Sequence, residues 1–85
     1  MIKVDRSTGV ATTDDGWKLT FHGNKIQVQK ELVDVLVTYE PLVGGINVVI
    51  YNDLENRGLE PSKAKTVIGV AKSALEAMGF SVELG

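Results

Sequence analysis

Residues 17–30 read WKLTFHGNKIQVQK, which is two alternating apolar and polar runs separated by Gly23-Asn24. Such a pair between alternating runs is a strong short-range signal for a β-hairpin. A two-residue turn there pairs four apolar side chains on one face, Phe21 with Ile26 and Leu19 with Val28. Because side chains alternate along a strand, a slip of one residue would move all four to the opposite face. The sequence therefore predicts an antiparallel hairpin with a defined buried face.

Two further turn signals extend this hairpin into a meander. A two-residue turn at Asp15-Gly16 places Val10 opposite Phe21, and a three-residue loop ending at Gly9 places Val4 opposite Thr12. We expect four antiparallel strands that share one buried face, formed by Ile2, Val4, Val10, Thr12, Trp17, Leu19, Phe21, Ile26 and Val28.

The C-terminal third predicts one helix followed by one strand. Residues 62–78 carry apolar side chains at three- and four-residue spacing, with Pro61 before them and Gly79 after them. The second face of this helix is made of small residues and would allow close packing against a neighbouring element or a second copy, and we favour packing within the chain. After the helix, residues 80–84 alternate as a strand does.

The middle of the chain fits either a helix or a strand. Residues 31–43 and 46–57 have apolar residues at helical spacing, although both segments are also rich in alternating β-branched residues. We favour helices, because no turn signal separates residue 31 from the strand before it. The predicted fold is a single small α+β domain of residues 1–85 with two layers. It combines an N-terminal four-strand antiparallel β-meander and a C-terminal strand with two or three helices packed on one face.

The composition excludes several classes of protein. The chain has 85 residues, 44% of them hydrophobic, and a net charge of −2. With no cysteine, a disulfide scaffold, a zinc–thiolate site and thiol catalysis are excluded. No run approaches the ~20 apolar residues of a membrane span, and the N-terminus lacks the pattern of a signal peptide. We therefore expect a cytoplasmic protein that does not contact a membrane.

No set of residues with the pattern of an active site emerges. His22 is the one histidine and lies beside a turn. Asp15 is accounted for as a turn residue, because Asp15-Gly16 forms the predicted turn between two strands. Residues 52–58 resemble a calcium loop only superficially, because the ligand positions that follow Asp53 fall on Arg57 and Ala64. Gly44-Gly45 lacks the lysine and the spacing of a phosphate-binding loop. We predict no catalytic residues, no metal site, no cofactor and no enzymatic activity.

The distribution of charge along the chain suggests a protein-binding function, the first of three that we consider. Residues 31–60 hold six acidic residues and one basic residue, between flanks of opposite sign. An acidic patch attracts and selects a basic surface, so we expect a masking or adaptor module that binds another protein. Its small size and its lack of cysteine and of a catalytic set are typical of a phage or mobile-element accessory protein. The predicted partner-binding residues are Asp34, Glu40, Asp53, Glu55 and Glu60.

Two alternatives remain open. The polar face of the meander carries basic residues that could bind nucleic acid, namely Lys3, Lys18 and Lys25 with His22. We favour this function less, because the meander has no exposed aromatic residue on which bases could stack. The other alternative is a self-assembling structural subunit, a homodimer formed through the 62–78 helix or an edge strand.

Overall fold

The computed structural model describes residues 2–85, which form seven strands and one helix. In chain order these are β1 (Ile2–Asp5), β2 (Val10–Thr13), β3 (Lys18–His22), β4 (Lys25–Lys30), β5 (Val33–Pro41), β6 (Asn47–Tyr51), α1 (Pro61–Ala77) and β7 (Ser81–Leu84).

All seven strands belong to one sheet in which spatial order equals sequence order. Every neighbouring pair is antiparallel except β6 and β7, which are parallel and joined by α1. The sheet curls into a half-barrel, so that α1 on its concave face contacts both edge strands, β1 and β7. The buried core lies between this face and the helix, and includes Leu19, Ile26, Val28, Val37, Val48, Ile50, Leu54, Val67 and Leu75.

The predicted fold class is wrong, because this β-rich half-barrel has one helix instead of two or three. Residues 31–43 and 46–57, predicted as helices, contain strands β5 and β6. In β5 the β-branched Val33, Val35 and Val37 point to the concave face. Alternation of β-branched residues thus outweighs the helical spacing of the other apolar residues in this segment.

The turn that the sequence failed to reveal is Glu31-Leu32. Lys30 pairs with Val33, so these two residues alone connect β4 to β5. Glu31 has φ of 52°, a left-handed conformation that residues other than glycine seldom adopt, and Leu32 is fully exposed. A turn made of such residues carries none of the usual glycine, asparagine or proline signals.

The predicted meander is correct for three strands and wrong for β2. Leu19 pairs with Val28 as expected, but Val10 lies opposite Thr20 instead of Phe21. The β2–β3 loop has three residues, since Thr13 N–H donates to Trp17 O, and the β1–β2 loop has four. These two errors shift β2 alone by one residue. Ala11 therefore enters the core, and Thr12 is exposed.

The predicted C-terminal helix and strand are confirmed, whereas the predicted packing of the small-residue face within the chain is wrong. Helix α1 matches the predicted 62–78 segment, and Gly79 ends it with φ of 99°. Phe80 N–H donates to Leu75 O, and β7 follows as predicted. The face of small residues on α1 (Thr66, Gly69, Ser73 and Ala77) is exposed and does not pack within the chain.

Candidate functional site

An open groove of about 750 Å³ lies along β5, where the β6–α1 loop rises beside this strand. Its lining combines charged, polar and apolar side chains from three strands and this loop. These are His22, Lys25, Gln27, Asp34, Val35, Leu36, Leu54, Arg57, Gly58 and Leu59. We refer to this site as the β5 groove.

The groove exists because β5 is longer than its neighbour β6. Strand β6 pairs only with Thr38–Pro41, whereas β4 pairs with β5 from Val33 to Thr38. Residues 33–37 therefore have a strand on one side only. We call this segment the free half-edge of β5.

The backbone of the free half-edge alternates between two directions. Tyr39 N–H donates to Asn24 O (2.9 Å), at the start of β4, so Val37 and Val35 also face β4. Leu36 O accepts a hydrogen bond from the Arg57 guanidinium, on the opposite side. Because residues two apart point the same way, the N–H and C=O groups of Asp34 and Leu36 face the groove.

The wall of the groove is the β6–α1 loop, which is held in place by Leu54. This side chain is only 1% exposed and belongs to the core. A tight turn follows it, in which Leu59 N–H donates to Leu54 O (3.0 Å) and Gly58 has φ of 95°. Arg57 stands at the tip, where its guanidinium is 3.1 Å from the Asp53 carboxylate. The loop is thus anchored from beneath and presents Arg57 to the strand.

The floor of the groove is built from cross-strand neighbours. Gln27 lies opposite Leu36, and Gln29 lies opposite Asp34. Both amides donate to the Asp34 carboxylate, Gln27 at 3.1 Å and Gln29 at 3.4 Å. These hydrogen bonds fix the Asp34 side chain flat against the floor, and Leu36 adds an apolar side chain that is 40% exposed.

The predicted acidic residues divide into two sets. Asp34 lies in the groove, and Asp53 and Glu55 lie on its loop wall. Glu40 is six residues from Asp34 along β5, about 20 Å away at the rise of a strand. Glu60 precedes α1, where its carboxylate accepts a hydrogen bond from Ser62 Oγ (2.9 Å). The five residues therefore do not form one continuous patch.

The predicted basic residues are also divided. Lys3 and Lys18 share a row across the outer face, each lying opposite Thr12 of β2. Lys25 and His22 lie opposite each other at the end of the β3–β4 hairpin and line the groove. The exposed Tyr51 on the outer face donates to Glu40 Oε2 (3.2 Å), and an acidic neighbour disfavours a phosphate backbone.

Sequence reasoning missed two main features of the groove, Arg57 and the Leu36 backbone. Both residues fall in segments predicted as helices, Arg57 at the end of 46–57 and Leu36 within 31–43. The Arg57-Gly58 pair does mark a chain reversal. Its position over β5 depends on the pairing of β5 with β6, which no local pattern encodes.

Within residues 2–85, no group of three or more His, Cys, Asp or Glu side chains is arranged to hold a metal ion. No helix in the same range is long and apolar enough to cross a membrane. Comparison of the chain with protein-family models, curated proteins and solved structures found no match.

Proposed function

We propose that this protein is a small non-enzymatic protein-binding module of the cytoplasm, a masking or adaptor domain that binds its partner in the β5 groove. The observation that carries the proposal is the groove itself, where the exposed Leu36 and the half-buried Val35 and Leu59 lie among charges of both signs. Protein-binding sites combine an apolar centre with a polar rim in this way.

The charges of the groove favour a polypeptide over a nucleic acid. Lys25 and Arg57 supply positive charge, and Asp34 and Asp53 supply negative charge within the same small area. A nucleic-acid site needs a surplus of positive charge along the path of the phosphates. The acidic residues of the loop wall, Asp53 and Glu55, would attract a partner whose surface beside the bound segment is basic.

The test is selection of peptides that bind the protein from a random displayed library, followed by mapping of the binding site with amide NMR shifts. We expect the largest shifts at residues 33–37 and 54–59. Leu36→Ser should weaken binding by about tenfold, because it removes the apolar side chain of the floor. The control is Leu84→Ser, which changes another exposed leucine, on β7 and outside the groove, and should leave the affinity unchanged.

Three results would overturn the proposal. The first is that no peptide binds, and the second is that the selected peptides shift only residues far from the groove. The third is tight binding of a single-stranded oligonucleotide that weakens steeply with salt and shifts Lys3 and Lys18. That result would make the basic outer face the functional surface.

A further inference from the structure

We propose that the β5 groove binds its partner as an extended strand that adds to the free half-edge of β5. This inference depends on the proposed function and specifies how the partner is held. The strand would form hydrogen bonds with the backbone of Asp34 and Leu36, in the row that β6 occupies further along β5.

The backbone geometry supplies the bonding groups. Asp34 and Leu36 each direct one N–H and one C=O toward the groove, over about 7 Å of strand. An added strand of about four residues would satisfy all four groups, which is the usual mode of strand addition at a sheet edge. The edge ends where β6 begins to pair at Thr38, so the site has a defined length and register.

Arg57 already forms one of the hydrogen bonds that an added strand would make. Its guanidinium donates to Leu36 O, which is the hydrogen bond that an N–H group of an added strand would make. The Arg57 side chain is 45% exposed and is also held by Asp53. An incoming strand can therefore replace one Arg57 hydrogen bond while the Asp53 contact remains, which leaves no buried charge without a partner.

The surroundings indicate the side chains that the strand should carry. Alternate side chains of a strand point to opposite faces of a sheet. On one side they would meet the half-buried Leu59 and Val35, and on the other side the polar Gln27 and Asp34. The expected partner is a protein segment of alternating apolar and polar residues in an extended conformation.

The test uses a library-selected peptide that already shifts the groove residues. Its backbone amides are N-methylated one at a time, which leaves the protein unchanged. A strand presents every second amide to β5, so we expect binding to fall by about tenfold at alternate positions and to persist at the intervening ones. Amide hydrogen exchange of Asp34 and Leu36 should slow in the complex with the unmodified peptide.

A variant of the protein provides a second test of strand addition. Leu36→Pro removes an N–H group that faces the groove and no hydrogen bond of the β4–β5 ladder, so the edge of the sheet should tolerate it. It should weaken peptide binding by about tenfold relative to Leu36→Val, which also shortens the side chain but keeps the N–H group.

The outcomes separate this inference from the proposed function. Peptides that shift the groove but show no alternation on N-methylation and no slowed exchange would overturn strand addition and leave the protein-binding function intact. Peptides that shift other surfaces, or no bound peptide at all, would overturn both.

Discussion

The guanidinium of Arg6 donates a hydrogen bond of 2.9 Å to the carbonyl oxygen of Met78, the C-cap residue of α1. The last carbonyl groups of a helix have no partner within the helix. This contact therefore satisfies one of them and places a positive charge at the negative end of the helix dipole. It also ties the β1–β2 loop to the C-terminal end of the helix.

Replacement of Arg6 by alanine should lower the free energy of unfolding by about 0.5–1.5 kcal/mol, because the Met78 carbonyl loses a charged donor. Lys3→Ala, which removes an exposed cation from the adjacent strand, should change it by less than about 0.5 kcal/mol. Urea denaturation of both variants measures the difference. Equal effects would show that the Arg6–Met78 contact does not stabilise the fold.

Leu54 and Leu32 are both loop leucines, and they differ in burial. Leu54 is 1% exposed and Leu32 is 102% exposed, relative to a free side chain. Leu54→Ala should therefore destabilise the protein by about 2–5 kcal/mol, and Leu32→Ala by less than about 0.5 kcal/mol. Thermal unfolding of each variant gives the comparison. If Leu54→Ala unfolds near the parent temperature, the β6–α1 loop is not anchored in the core.

Glu31 is the one non-glycine residue with positive φ among residues 2–85. Glycine adopts this conformation without the steric cost that a β-carbon imposes. We expect Glu31→Gly to raise the free energy of unfolding by about 0.5–1 kcal/mol. Leu32→Gly, one residue further in the same turn, lacks this benefit and should lower it slightly. A gain from Leu32→Gly alone would contradict the geometry of the turn.

The two tyrosines should titrate differently. Hydrogen bonding to the Glu40 carboxylate and the charge of that group raise the pKa of Tyr51 above its ordinary value, whereas burial raises the pKa of Tyr39. Glu40→Gln should therefore lower the pKa of Tyr51 and leave that of Tyr39 unchanged. Ultraviolet titration of phenolate formation, with Tyr51→Phe to assign the groups, measures both.

The sign of the related stability effect follows from the raised pKa of Tyr51. The folded state holds the phenolic proton more tightly, so this contribution is complete below pH 10, the ordinary pKa. It is lost as the pH rises through the pKa of the folded state. In Glu40→Gln the stability should decline less steeply over this alkaline range.

The sequence predicts structure well where turn chemistry and alternation agree. Gly23-Asn24 defined the β3–β4 register, and Gly79 defined the end of α1. Elsewhere one local signal was misleading. Asp15-Gly16 suggested a two-residue turn, but the loop begins at Asp14. The turn at Glu31-Leu32 could not be recognised, because it relies on a strained residue that the paired strands hold in place.

Some residues of the groove could be predicted from the sequence, but their arrangement in space could not. Asp34, His22 and Lys25 were all singled out for their charge, although for opposing functions, and the structure brings them to one groove. Their proximity follows from the pairing of β5 with β4. The free half-edge itself follows from the unequal lengths of β5 and β6, and a pattern within either strand contains no information about that difference.

The strand order also has consequences for folding kinetics. Each of the strands β2 to β6 pairs with the one just before it, so contacts form between residues close in sequence and little entropy is lost in closing each loop. The sheet can therefore assemble strand by strand during synthesis, whereas β7 must wait for α1 to cross over. A nascent chain that stops before Pro61 would expose its apolar concave face, which makes this intermediate the one most prone to aggregate.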